Sequence, residues 1–270
     1  MGSAISDWFF SLPVVPWMAV VVFAAIYLIA ASIFWIVTRL AVDDRARAFK
    51  ALSPGMLPPL GIIFALLLIF IANPVWSNFD QAKHAVATET GALRGILIIA
   101  RGLPAEQENR LRTFVSEHVD EAVNVDWPAM AKGRATLANN SIPTFIKAME
   151  FTRSLKPQDE AQQMAQREIL TDWEQVRNAR RDRFLISQAE VSSIKLAGLL
   201  LIALCVLTAT ALVHSDNRIT CGLALGIFAT AMAMSMLLVA AYNKPFTGDY
   251  SVGPQLLEQV LPSVPCNCQT

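Results

Sequence analysis

Four long stretches of this sequence contain no Asp, Glu, Lys or Arg. They comprise 31 residues between Asp7 and Arg39, 29 between Lys50 and Asp80, 20 between Lys195 and Asp216, and 25 between Arg218 and Lys244. A helix that crosses a bilayer needs about 20 mostly apolar residues. We therefore predict four membrane-spanning helices, near residues 17–38, 58–76, 196–213 and 220–241.

The charged residues concentrate between the two pairs of spans. Residues 80–195 hold 32 of the 44 charged residues, 16 basic and 16 acidic. This predicts an amino tail (1–16), a first transmembrane pair (17–76), an extramembrane domain (77–195), a second pair (196–241) and a carboxyl tail (242–270). The first span has no basic segment before it and no cleavage pattern after it, so we expect a retained helix and not a signal peptide.

The extramembrane domain has the pattern of helices. Apolar residues from Phe79 to Leu97 recur at helical spacing, further helices are predicted to open at Pro104 and Pro157, and Thr136–Leu155 is predicted helical with a break at Pro143. We therefore predict an all-α integral membrane protein. Its extramembrane domain is formed largely by extensions of spans two and three, and the last helix continues into span three.

Composition and motifs argue against several function classes. The 22 basic residues equal the 22 acidic ones, which gives no surface for nucleic acid. No phosphate-binding loop, hydrolase elbow, zinc-protease or dinucleotide motif is present, so no enzyme activity and no cofactor are expected. Cys266 and Cys268 are too few for a zinc site. His118 lies among Glu117, Asp120 and Glu121, which predicts a solvated acidic helix face and not a metal site.

Two groups of basic residues give opposite predictions for membrane orientation. Arg39, Arg45, Arg47 and Lys50 lie in the first connector, while the amino tail has no basic residue. By the positive-inside rule this connector is cytoplasmic, which favours both termini and the extramembrane domain outside the cytoplasm. The cluster Arg177, Arg180, Arg181 and Arg183 before span three favours the reverse.

A polar residue ends the second span. Pro74 disfavours helix at Asn73, so a kink is expected there. One interpretation is a kink near the membrane interface, with Asn73 satisfied by neighbours. The other is a pore lined by Asn73 and by the residues on the same helix face, Ile62, Leu66 and Ile69. An apolar ring of that kind gates by dewetting.

Glu89 falls on the apolar stripe of the helix that continues from span two. A carboxylate there needs a partner. Arg180 lies at the margin of the helix that enters span three, with Arg177 nearby, so we predict a Glu89–Arg180 ion pair. It is either structural or a proton or ion sensor.

The residues Pro245-Phe246-Thr247-Gly248 follow the last span directly. Pro245 stops the helix, Gly248 permits a turn, and Phe246 is suited to anchor at the membrane interface. The alternative is that this turn docks onto a neighbouring subunit or onto the extramembrane helices.

Two parts of the sequence resemble a known protein family. The first is LGIIFALLLIFIANPVWSNFDQAKHAVATETGALRGIL, in which Trp76 and Phe79 follow an apolar helix. The second is AAYNKPFTGDYSVGPQLLEQVL. Both stretches resemble the bacterial bestrophin-like domain family. Its members are four-span inner-membrane proteins of unknown function. The resemblance extends over nearly the whole chain. Asn243 stands where that family pattern has an acidic residue.

A remoter resemblance links the chain to bestrophins, which are pentameric anion channels with an apolar neck and a cytoplasmic middle domain. The resemblance implies a multi-pass protein of the bacterial inner membrane, a homo-oligomer with a pentamer as one form, and passage of a small inorganic ion. The alternative is a membrane-anchored sensor or scaffold that uses its extramembrane helices for protein interaction. Few charged residues lie inside the spans, which argues against a proton-coupled transporter.

Overall fold

The computed structural model describes residues 14–40, 55–132, 143–189, 191–248 and 251–261. In this part of the chain every regular element is helical. In chain order the elements are α1 (Val14–Leu40), α2 (Leu57–Ala100), α3 (Ala105–Glu121), a π-helical turn (Ala122–Asp126), α4 (Trp127–Ala131), α5 (Pro143–Ser154), α6 (Glu160–Ser187), α7 (Ser193–Val213), α8 (Arg218–Tyr242) and α9 (Gln255–Glu258).

The four predicted spans are confirmed as long apolar helices. By length and composition α1, α2, α7 and α8 are each able to cross a membrane, with mean hydropathies between 2.2 and 2.7 in their most apolar windows. The all-α integral membrane fold is therefore the fold of this chain. Pro74 lies inside α2 and does not end it.

The chain divides into two compact units. The transmembrane unit comprises Met1–Ser77, Glu190–Asn243 and Gly248–Tyr250, and the extramembrane unit comprises Asn78–Ala189, Lys244–Thr247 and Ser251–Thr270. Helix α2 contributes residues to both units. The carboxyl-terminal segment after α8 mostly belongs to the extramembrane unit.

In the transmembrane unit, α8 presents a buried face with residues such as Leu225, Ala229 and Met236. This face packs with buried residues of α1, including Ile26 and Ile33, in one apolar core. A hydrogen bond between the Tyr27 hydroxyl and Thr230 Oγ1, at 2.7 Å, adds a polar contact between the same two helices.

The core of the extramembrane unit gathers one apolar stripe from each of its longer helices. These stripes are fully buried. They comprise Val86, Leu93 and Ile96 on α2, Leu111 and Val115 on α3, Ala148 on α5, and Ile169, Trp173 and Val176 on α6. Asp159 caps the start of α6, where its carboxylate accepts a hydrogen bond from the Gln162 N–H at 2.7 Å.

The structure corrects the prediction that the last extramembrane helix continues into span three. Helix α6 ends at Ser187 and α7 begins at Ser193. After the break, the Val191 N–H donates to Asn243 Oδ1 at 3.1 Å, which satisfies a backbone group that a continuous helix would have paired internally. Asn243 therefore acts as a neutral acceptor at this break.

Some predictions fall outside the described residues. Of the segment predicted helical from Thr136 to Leu155, the structure describes the part from Pro143, where α5 begins. Arg45, Arg47 and Lys50 of the first connector, and Cys266 and Cys268 of the carboxyl tail, lie outside the described residues.

Candidate functional site

Five ionisable side chains lie buried together in the extramembrane unit. We call them the buried charge cluster: Glu89 on α2, His118 on α3, Asp126 at the end of the π-helical turn, and Arg180 and Arg183 on α6. None is more than 6% exposed. Charged side chains are rarely buried without partners, because desolvation costs several kcal/mol per ion.

Glu89 is the centre of this cluster. Its carboxylate accepts hydrogen bonds from Arg183 Nε at 2.5 Å and Arg183 Nη2 at 2.9 Å, an arrangement in which both oxygens are used. Burial alone would raise the pKa of Glu89, but the Arg183 guanidinium and the hydrogen bond from His118 lower it to about 2. The carboxylate is therefore ionised at neutral pH.

His118 completes the contacts of Glu89. Its Nε2 lies 2.9 Å from Glu89 Oε1. An ionised carboxylate only accepts hydrogen bonds, so the network assigns the hydrogen to Nε2. The ring packs edge-on against Trp173, with centroids 6.4 Å apart.

Asp126 and Arg180 form the second pair of the cluster. Arg180 Nε lies 2.6 Å from Asp126 Oδ2, and Arg180 Nη2 lies 2.8 Å from Asp126 Oδ1. Arg183 approaches the same carboxylate at 3.6 Å, which joins the two pairs. Asp126 is the last residue of the π-helical turn, and such single turns often re-aim side chains at functional sites.

The predicted Glu89–Arg180 pair is wrong in its partners. Both residues are buried and paired, but Glu89 bonds Arg183 and Arg180 bonds Asp126. Arg183 lies three residues after Arg180, about one turn further along α6, and that turn is level with Glu89. Arg177 is exposed and takes no part.

The prediction of a solvated face around His118 is also wrong. His118 is 1% exposed, because it occupies the apolar stripe of α3 with Leu111 and Val115 at helical spacing. Glu117 and Asp120 are indeed on the exposed side of the helix. Within the described residues, no group of three or more His, Cys, Asp and Glu side chains is placed to hold a metal ion.

The sequence contained a signal for the residues that were missed. Ile169, Trp173 and Val176 define the buried stripe of α6, and continuing it by four and three residues reaches Arg180 and Arg183. Asp126 had no comparable signal, because the π-helical turn shifts the phase of the helix just before it.

The turn after α8 packs beside the charge cluster. Phe246 is 4% exposed and meets the Trp127 ring edge-on at 6.0 Å, while Trp127 in turn lies under the Arg183 guanidinium at 4.5 Å. The Trp127 Nε1–H donates to the Val252 carbonyl at 3.1 Å. Of the two alternatives for this turn, the structure therefore places Phe246 in the extramembrane core.

The backbone of this turn is fixed at two places. Gly248 has φ +92°, which favours glycine, and the Val252 N–H donates to the Pro245 carbonyl at 2.7 Å.

The candidate pore residues lie on α2 in the transmembrane unit. Ile62, Leu66 and Ile69 are 61%, 51% and 61% exposed, and Asn73 is exposed as well. Their spacing of four, three and four residues puts them on one face of the helix. They make no part of the apolar core of this unit.

Comparison with known proteins agrees with the fold. The family model described as the Bestrophin-like domain matches residues 24–257. A crystal structure of a variant of a bacterial bestrophin homologue from Klebsiella pneumoniae is 16% identical to this chain, with a TM-score of 0.63. The match covers 91% of this chain and 96% of that one. A crystal structure of a membrane protein variant is 14% identical, with a TM-score of 0.65, and the match covers 91% of this chain and 95% of that one. No curated protein matches the sequence. At these identities the structural likeness concerns the fold alone.

Proposed function

The chain belongs to the bestrophin-like domain family, and we propose that it assembles as a homo-oligomeric ion channel in the bacterial inner membrane. It is a multi-pass membrane protein. The family resemblance supports five copies around one axis and an anion as the ion that passes. The proposal includes no enzymatic step.

The observation that supports this proposal is the exposure of α2 in the transmembrane unit. Only 17% of its most apolar window is buried, against 22% in α1 and 33% in α7 and in α8. Ile71 and Val75 are buried, and helical spacing places them opposite the exposed row of candidate pore residues. One face of α2 thus serves the fold of the single chain and the other remains for lipid or further copies.

A ring of these helices would have the features of a channel neck. Copies of Ile62, Leu66 and Ile69 would stack as apolar rings, which oppose ion passage until the lumen widens or becomes wet. Asn73, one turn beyond Ile69, would supply a ring of uncharged polar groups at the end of this neck.

Proteoliposome flux tests the proposal, and Leu66→Ser is the informative variant. A hydroxyl in an apolar ring favours wetting, so we expect faster chloride efflux than from the unchanged protein. Leu201→Ser is the matched control, because Leu201 is likewise exposed, at 61% against 51% for Leu66, but lies on α7. Equal flux through both variants, or no difference from the unchanged protein, would contradict the assignment of α2 as the pore helix.

The mass of the purified protein decides between the two functional classes. A channel requires a multimer in native mass spectrometry and flux in liposomes. A monomer without flux would instead favour a membrane-anchored sensor or scaffold that uses the extramembrane helices for protein interaction.

A further inference from the structure

Asp172 of α6 packs against the backbone of α2 at a glycine. A Cβ added to Gly95 would collide with Asp172 Oδ2 and would lie 3.3 Å from Asp172 Cγ. The carboxyl group therefore occupies space that a side chain at position 95 would fill. About one turn earlier on α2, a Cβ added to Gly91 would meet nothing within 4 Å. The close approach thus belongs to Gly95 and not to both glycines.

This contact gives a charged carboxylate little compensation. Gly95 lies inside α2, whose backbone N–H groups are used by the helix itself. Within the part of the chain that the structure describes, the Asp172 carboxyl group accepts no hydrogen bond and forms no ion pair. A partly buried acid without a partner favours its neutral form.

The charged residues on the surrounding elements do not neutralise Asp172. On α6 itself, the Glu168 carboxylate lies about one turn earlier and repels a second negative charge. On α2, Arg94 is next to Gly95, but its Nη2 donates to the Gln259 carbonyl at 3.4 Å. Helix α4 also packs against α6 and contains no charged residue. Helix α5 does so as well, and its charged residues are all exposed: Lys147, Glu150 and Arg153.

Both the burial and the neighbouring charge favour the protonated acid. Burial, and then the Glu168 carboxylate, raise the pKa of Asp172 from 3.8 to about 6. The packed side chain therefore keeps its proton over a range of pH in which the same side chain in water would lose it.

We propose that Asp172 is a pH-sensitive latch between α2 and α6, closed when its carboxyl group is protonated and loosened when the group ionises. Because the pKa is raised in the packed state, the latch is closed in acid and loosens as the pH rises through about 6. Helix α2 runs without a break from Leu57 to Ala100. The latch therefore acts on the helix that carries the candidate pore residues, a link to ion flow that rests on the proposed function.

Hydrogen exchange of the purified full-length protein measures the opening of this contact. The peptides to follow cover residues 91–98 and 168–175, after correction for the pH dependence of unprotected amides. We expect about threefold more opening at pH 7.5 than at pH 5, because the side chain is partly exposed and solvent screens part of the effect. Equal opening at the two pH values would overturn the proposal.

Two substitutions of acids on α6 show which carboxyl group is responsible. Asp172→Asn cannot ionise, so it should retain at pH 7.5 the protection that the unchanged protein has at pH 5. Glu174→Gln is the matched control, because it removes an exposed carboxylate from the same helix and should leave the pH dependence intact. The proposal fails if Asp172→Asn keeps the pH dependence of the unchanged protein.

Two glycine variants test the contact without removing the acid. Alanine favours a helix more than glycine does, so neither Gly95→Ala nor Gly91→Ala should prevent folding of α2. The new Cβ at position 95 displaces the Asp172 carboxyl group, so the pH dependence of exchange should be lost. Gly91→Ala should keep it, and a full pH dependence in Gly95→Ala would refute the latch. None of these readouts uses ion flux, so the latch and the channel proposal can fail separately.

Discussion

Glu89 has a fully buried carboxylate that accepts hydrogen bonds from the Arg183 guanidinium and from His118, so its replacement should be costly. Glu89→Gln leaves the Arg183 guanidinium buried without its counter-charge, and we expect a loss of about 3–5 kcal/mol in the free energy of unfolding. Chemical unfolding of the purified protein measures it. The partly exposed pair of Glu108 and Arg112, at 3.0 Å, is the matched control, and Glu108→Gln should cost about 1 kcal/mol or less.

The double-mutant cycle identifies the partner of Glu89. Adding Arg183→Gln to Glu89→Gln should recover part of the loss, because residues in direct contact are not additive. Adding Arg180→Gln should recover less, since Arg180 bonds Asp126. The pairing seen in the structure is refuted if Arg180, and not Arg183, is the residue that couples to Glu89.

Acid should weaken this part of the molecule in a defined range. The pKa of Glu89 is lowered in the folded protein from 4.5 to about 2. Its contribution is therefore complete above pH 4.5 and is lost as the pH falls toward 2. In Glu89→Gln that component of the acid dependence is absent.

Asp172 has the opposite pH dependence. Burial, and then the neighbouring Glu168 carboxylate, raise the pKa of Asp172 from 3.8 to about 6. A raised acid pKa means that the folded state prefers the protonated form, so its contribution is complete below pH 3.8 and is lost as the pH rises through 6. The carboxylate lies so close to α2 that a Cβ at Gly95 would collide with it.

The variant Asp172→Asn removes this ionisation. We expect it to stabilise the protein at pH 7.5 by about 1 kcal/mol or less, because the side chain is partly exposed and solvent screens the effect. The difference should shrink as the pH falls from 7.5 toward 4, because the folded chain protonates Asp172 below about pH 6 and the unfolded chain does so only around its ordinary pKa of 3.8. Melting temperatures across pH 4–8 give this comparison, and a stabilisation that does not vary with pH would contradict the assignment.

At the residue scale, periodicity predicted position better than it predicted partners. It placed Glu89 on a buried stripe correctly. It could also have placed His118, Arg180 and Arg183, if the stripes had been extended through charged residues. Which arginine meets which carboxylate depends on the relative shift of two helices along their axes, and that shift is set by packing between distant segments.

At the element scale, the segment after α8 is held by apolar burial in the extramembrane unit. Phe246, Leu257 and Val260 belong to its core, and Arg94 Nη2 donates to the Gln259 carbonyl at 3.4 Å. Phe246→Ala should cost about 3–5 kcal/mol of unfolding free energy through loss of burial and the cavity it leaves. Leu256→Ala, at a 45% exposed position of the same segment, is the control and should cost far less. Equal losses would show that Phe246 is not anchored as the structure has it.

Helix existence could be predicted from the sequence, whereas some helix ends could not. Asp159 and Asn217 are residue types that favour helix starts, and both cap helices in the structure. Residues 188–192 contain neither glycine nor proline. The break between α6 and α7 is supported by Asn243, a residue 52 positions from the Val191 that it caps, and no local pattern reports such a contact.

At the scale of the whole molecule, the distribution of charge predicted the membrane architecture. The four uncharged stretches correspond to four apolar helices, and the 32 charged residues of 80–195 fall mainly in the extramembrane unit. The same pattern does not predict how copies of the chain assemble, because an exposed apolar residue such as Ile69 can face lipid, a channel lumen or another copy equally well. The predicted domain limits remain predictions.

Membrane orientation is the property of the whole chain on which the charge pattern and the family resemblance differ. An even number of spans puts both termini and the extramembrane unit on one side. Basic residues in short connectors weigh more in orientation than those in long domains, which favours a cytoplasmic first connector through Arg39 and its neighbours. We therefore predict that a reporter active only in the cytoplasm is silent when fused after Thr270, and that one active only outside gives signal. Replacing Arg45, Arg47 and Lys50 with Gln should then weaken the preference and yield signal from both reporters. A strong cytoplasmic signal from the unchanged chain would reverse the orientation, give the arginines before α7 the greater weight, and place the extramembrane unit in the cytoplasm, as in bestrophins.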